Sequence, residues 1–200
     1  MGKFLGLLLV AAIVIGGLAV TTYNGLVGSD ESVSSAWSKI ESEYKRRSDL
    51  IPQLVETVKG AADYEESVLT EVTEARAKVN QIQVQLPEDG PVDQAMLDQY
   101  MKAQSELGAG LGRLIATAEA YPDIKATEAF LDLQNQLEGT ENRIAVARTD
   151  YIETVKTYNT RVRKFPANLV AGMMGFETKA QMQFEEGIDA VPTIDFGTND

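Results

Sequence analysis

RRSDLIPQLVETVKG, residues 46–60, is the stretch whose reading decides the fold. It sets Arg46, Arg47 and Asp49 ahead of Leu50-Ile51-Pro52 and closes on Gly60. Proline lacks a backbone N–H and its ring clashes with the carbonyl four residues earlier, so it normally ends a helix. Here apolar side chains recur at helical spacing on both sides of it. Alternating steps of four and three from Val33 pass through Trp37, Ile40 and Tyr44 and continue to Val79 and Ile82, with only Arg47 and Glu65 polar on the way. The phase slips neither at Pro52 nor at Gly60. The register therefore predicts one helix from Asp30 to Ile82, about 80 Å long, with a coiled-coil-like seam. Asp30 and Glu31 fall in its first turn, where acids complement the helix dipole. Pro52 bends this rod without ending it, and the carbonyl of residue 48 loses its intrahelical bond. A hairpin near Gly60-Ala61-Ala62, giving two shorter helices, is the alternative.

Working outward, LPEDGP (86–91) is a turn by composition and closes the first arm. A second arm starts at Pro91 or Val92 and carries Leu97, Tyr100, Gln104, Leu107 and Leu111 in the same steps to Tyr121. Gly108, Gly110 and Gly112 weaken it by about 1 kcal/mol each relative to Ala and read as points of close helix contact. GAGLG is not a phosphate loop, because no strand precedes it and no Lys-Ser/Thr follows. The third arm runs from Pro122 to Lys164, with Glu141 and Arg148 on its seam, and ends at Phe165-Pro166. Short connections make successive arms antiparallel. The predicted fold is all-α: an N-terminal transmembrane helix followed by a long antiparallel three- to four-helix bundle of coiled-coil-like packing.

Upstream of the seam, Phe4 to Ser29 holds no charged side chain. Its apolar centre, extended to Tyr23, reaches the length of about 20 residues that spans hydrocarbon, and Tyr23 suits the interface. A cleaved signal has a shorter apolar region and a better cleavage site than Gly17-Leu18-Ala19. The expected organisation is an anchor at 1–29, a bundle at 30–165, and an apolar patch with a loosely ordered acidic tail at 166–200. Lys3 before the span and Asp30-Glu31 after it favour a domain outside the cytoplasm, against the pull of Lys45-Arg46-Arg47. The expected localisation is single-pass in the cell membrane.

Composition narrows the chemistry. Acids number 30 against 18 bases, one of which is Lys3, so residues 30–200 carry −13. Such a field repels phosphate backbones, and no nucleic-acid partner is expected. The chain has no His and no Cys, which removes thiolate and imidazole metal sites and any His base or Cys nucleophile. No cofactor is expected, and with carboxylates this abundant, spacings such as Glu138 to Glu141 arise by chance.

Several strings together resemble the LemA family: YNGLV (23–27), Val33 with AWSKIE (36–41), RRSDLIPQLVETVKG (46–60), VTEAR (72–76), AEAYPDIKA (118–126), LEGTENRIAVAR (137–148), Tyr158-Asn159 and FPANLVAGMMGF (165–176). They keep that family's order over nearly the whole chain, and Ile194-Asp195-Phe196 is similar to its C-terminal pattern. The resemblance implies a bacterial-type protein with one N-terminal span and a helical bundle. It supplies no catalytic residues.

Two groups stand out as candidate sites. The polar seam residues are Arg47, Glu65, Gln104, Glu141 and Arg148; they read either as buried pairs that set helix register or as a socket for a ligand or a partner's charge. The second group is an apolar docking patch of Phe165, Pro166, Leu169, Met173, Met174 and Phe176, which either folds over the bundle end or docks on lipid or another subunit. Trp37 is expected to anchor the core. The expected function is non-enzymatic: a membrane-anchored scaffold of the cell envelope that forms homo-oligomers or docks on a membrane-protein partner in the lipid bilayer. The alternative is a ligand- or peptide-binding accessory module for a membrane machine. Self-association is expected because a second arm of about 30 residues cannot cover the whole length of a first arm of about 54 from Ser29.

Overall fold

The computed structural model describes residues 2–59, 66–87, 90–91 and 93–182. Helix α1 (Gly2–Lys59) carries the apolar run and the first bundle element without a break. Pro52 lies inside it on the exposed face, as the register requires. Helix α2 (Glu66–Gln83) does not prolong α1. Arg76 of α2 meets Ser48, and Gln83, later in α2, donates through Nε2 to Glu41 Oε1 at 2.9 Å, earlier in α1. The two helices therefore run in opposite directions, and the predicted rod from Asp30 to Ile82 does not form. Gly60, Ala61 and Ala62 lie outside the described residues. The phase holds across them because both helices turn an apolar stripe to one core: Ile51 and Val58 are buried from α1, Val72 and Val79 from α2.

Proline 52 shapes the α1–α2 contact. Its missing N–H leaves the Ser48 carbonyl without its helical donor. Arg76 Nε supplies one, 2.9 Å from that oxygen and 3.2 Å from the Ser48 hydroxyl. Ser48 is buried, so an unmet carbonyl there would carry a desolvation penalty. The arginine crosses from α2 to meet it.

Helix α3 (Gln94–Glu119) starts at Asp93, whose side chain accepts the Met96 N–H at 2.8 Å. It runs antiparallel to α2, tied by Lys78–Glu106 at 2.6 Å and by the Arg113–Glu71 pair. Gly110 faces Val72, where a Cβ would stand 3.4 Å from a methyl, so this glycine is a point of close helix contact. After the single turn α4 (Pro122–Lys125), helix α5 (Glu128–Arg163) begins at Thr127, which accepts the Phe130 N–H, and returns along α1. Arg143 reaches Glu43 at 2.9 Å. The four long helices alternate in direction, and the described residues contain no strand.

Trp37 is fully buried, with ring centroids 5.6 Å from Tyr100 and 5.7 Å from Tyr151. Gly90, in the turn before α3, has φ 101° and lies on the indole; a Cβ there would come within 3.0 Å of Trp37. Both facts demand glycine at this position.

Helix α6 (Ala167–Met174) ends on Gly175 in the left-handed conformation at φ 77°. Beyond it the sequence predicts a loosely ordered acidic tail. Through Met182 it is instead strapped to α5 and α3. Tyr158 donates to the Glu177 carbonyl at 2.9 Å and Tyr151 to that of Ala180 at 3.2 Å. Asn159 pairs with both the N–H and the carbonyl of Lys179, and Gln94 does the same for Gln181. These amides replace a β-strand partner, and a sequence pattern for helices gives no sign of them. Residues 183–200, including Ile194-Asp195-Phe196, lie outside the described residues.

Burial pushes the Tyr151 phenol up to about 12, and burial with the nearby Asp30 charge does the same for Tyr158. Unfolded tyrosine ionises near pH 10. The folded state therefore holds more protons than the unfolded one between about pH 10 and 12, and stability should fall with rising pH across that window. Urea melts from pH 9 to 12 should show this slope, shallower in Tyr151→Phe. An equal slope in the two proteins would exclude Tyr151 as its source.

Candidate functional site: a polar cleft on the seam

Three helices converge at Arg47. Its side chain is 4% exposed on α1, in a position where the stripe would otherwise carry an aliphatic residue. Nη1 lies 2.9 Å from Glu141 Oε1 of α5. Nη2 donates to the Gln104 backbone carbonyl of α3 at 3.1 Å and to its side-chain oxygen at 2.5 Å. The guanidinium carbon stands 5.1 Å from the Tyr44 ring centroid, a cation–π distance. Gly108 leaves bare backbone beside Nη1, since a Cβ there would sit 3.5 Å from it. Burial also pushes the neighbouring Tyr100 phenol well above its ordinary range, so it stays a neutral hydroxyl.

These residues edge a cleft of about 280 Å³, and Arg148 lines it too. Four of the five polar residues singled out on the seam thus share one place, while Glu65 lies outside the described residues. They differ in role. Arg47 binds both Gln104 and Glu141 and so locks α1, α3 and α5 in register. Glu141 is open to water on one side, 49% exposed. Arg148 is half-buried and makes no hydrogen bond or ion pair among the described residues. Two buried donors of the cluster, Arg47 Nε and Gln104 Nε2, also lack a protein acceptor. Those two are closed to solvent, so Arg148 is the cation that the cleft presents, a group suited to a carboxylate.

The apolar patch divides. Ala167 and Ala171 bury against the bundle, and Phe176 meets Tyr23 edge-on with centroids 5.8 Å apart. Phe165, Pro166, Leu169, Met173 and Met174 remain exposed. Sequence reasoning missed Arg76, Asn159 and Arg161. A signal existed for the first, since Pro52 announces a carbonyl in want of a donor. Arg161 shows only in three dimensions: its guanidinium crosses α1 at Gly25, where any Cβ would collide with it, and donates to Ser29 Oγ at 3.0 Å.

A helix long and apolar enough to cross a membrane, its apolar segment unburied, runs directly into an antiparallel four-helix bundle. This is the architecture of a single-pass, membrane-anchored helical-bundle protein. The chain belongs to the LemA family, whose profile matches residues 36–196. It is similar to Magnetosome protein MamQ 2 of Paramagnetospirillum magneticum, at 29% identity over 80% of this chain and 64% of that protein. It is also similar to Magnetosome protein MamQ of Magnetospirillum gryphiswaldense, at 26% identity over 78% and 62%, and to Protein LemA of Metamycoplasma hominis, at 24% over 82% and 69%. The chain spans less than two thirds of the length of the MamQ proteins it matches.

Proposed function

We propose that this protein is a non-enzymatic, membrane-tethered adaptor that holds an acidic segment of a membrane-protein partner in the Arg148 cleft, with its bundle outside the cytoplasm. One observation carries the reading: Arg148 lines, half-exposed, a cleft in which the other arginine, Arg47, is already paired with Glu141 and Gln104. In a chain of net charge −12, such a site is a local exception that an acidic guest would find. The alternative role of accessory module for a membrane machine uses the same site. Self-association loses its first ground, because α2 runs back antiparallel to α1 instead of prolonging it, so the long rod that needed cover does not exist. The unpacked glycines Gly6, Gly16 and Gly17 of the span remain as a place for anchors to meet.

Arg148→Ala touches no register bond, so stability should stay within about 0.5 kcal/mol of wild type. The proteins co-purifying with the full-length chain from detergent-solubilised membranes should, however, lose a stoichiometric partner, and Arg148→Lys should restore part of it. Identical complexes from wild type, Arg148→Ala and Arg148→Glu would overturn the adaptor reading of this cleft.

A further inference from the structure

Along α1, exposed apolar side chains continue through Val20, Tyr23 is half-exposed, and burial begins at Leu26. Phe4 to Tyr23 spans about 28 Å at 1.5 Å per residue, close to the thickness of a bilayer's hydrocarbon, which places Tyr23 at its edge. Helix α6 sits at that level, since Phe176, two residues after it, meets Tyr23 edge-on. It is apolar except for Asn168. Ala167 and Ala171 face the bundle, while Leu169, Met173 and Met174 form an outer face, with Phe165 exposed just ahead of the helix. Phe165 and Met173 are 74% and 81% exposed.

Charge singles out the same end of the molecule. Between Glu153 and Glu177 there is no acid, yet Lys156, Arg161, Arg163 and Lys164 fall there. A segment of +4 in a chain of −12 matches the phosphates of lipid headgroups. Two copies set patch to patch would instead bring like charges together.

We propose that α6 is a second membrane contact. Its outer face, Leu169, Met173 and Met174, together with Phe165 just ahead of it, enters the lipid–water interface of the leaflet from which α1 emerges. Arg161, Arg163 and Lys164 lie at the phosphates. The bundle then stands on the bilayer at two points, so its tilt and rotation are set by the membrane and not left to swing on α1. The inference rests on α1 spanning the bilayer, and the experiment separates the two.

The chain has no cysteine, so single-cysteine variants take one nitroxide label each. Met173→Cys tests the patch, Val14→Cys the anchor, and Val146→Cys, exposed on α5, the aqueous surface. The full chain is reconstituted into phosphatidylcholine–phosphatidylglycerol vesicles, and collisions of each label with oxygen and with a water-soluble nickel complex are compared. The Met173 label should favour oxygen as the Val14 label does, whereas the Val146 label favours nickel. Arg163→Glu with Lys164→Glu should move the Met173 label toward water and leave Val14 unchanged. A Met173 label that reads like Val146 while Val14 reads hydrocarbon overturns the second contact alone. One shielded from both reagents overturns it in favour of a protein neighbour. A Val14 label in water removes the anchor, and the inference with it.

Discussion

Glu141→Ala is expected to destabilise the bundle by about 3 kcal/mol, even though Glu141 is the exposed partner of its ion pair. The reason lies in what each deletion leaves behind. Without Glu141, a guanidinium 4% exposed keeps its charge with only Gln104 and the Tyr44 ring to receive it. Stripping a buried ion of its counter-charge is the costly operation, and for a chain of this length the melting temperature should fall by roughly 6–12 °C. Arg47→Met leaves a carboxylate that water can reach and an apolar side chain in an apolar stripe. The double variant should therefore be more stable than Glu141→Ala alone. Thermal melts of the four proteins in detergent close the cycle. Additive effects of the two substitutions would mean that the pair has no coupling and that register is set elsewhere.

The second large effect is expected at Arg76. Arg76→Leu should cost about 2 kcal/mol by leaving the buried Ser48 carbonyl without a donor. In a Pro52→Ala background the alanine N–H can take that carbonyl, so the same Arg76 substitution should cost about 1 kcal/mol less. Pro52→Ala by itself should raise stability, because it also removes the ring clash. Urea unfolding of wild type, both single variants and the double variant measures the coupling. Costs of Arg76→Leu that agree within about 0.3 kcal/mol in the two backgrounds would disprove the link between proline and arginine.

This pairing also explains why RRSDLIPQLVETVKG and VTEAR belong together. The first string contains a proline that deprives residue 48 of its donor, and the second ends on the arginine that replaces it. Tyr158-Asn159 has a similar account, since its hydroxyl and amide hold the strap at Glu177 and Lys179.

The division between what could be read along the chain and what could not follows from the range of each interaction. Periodicity is local, so the apolar spacing from Val33 to Val58 and from Phe130 to Val162 determined helices, their buried faces and an all-α class. The uncharged run after Phe4 determined a segment able to cross a membrane, and the polar breaks Arg47, Gln104, Glu141 and Arg148 were visible as breaks. Direction is not local. A stripe of period 3.5 reads the same whether the chain continues past Gly60 or returns, so only the contacts of Arg76 with Ser48 and Gln83 with Glu41 decided that α2 runs back. Which breaks satisfy one another was equally a tertiary matter. Arg47 and Glu141 are 94 residues apart, and a hydrogen bond of 2.9 Å between them depends on how α1 and α5 are rotated, which no heptad count contains.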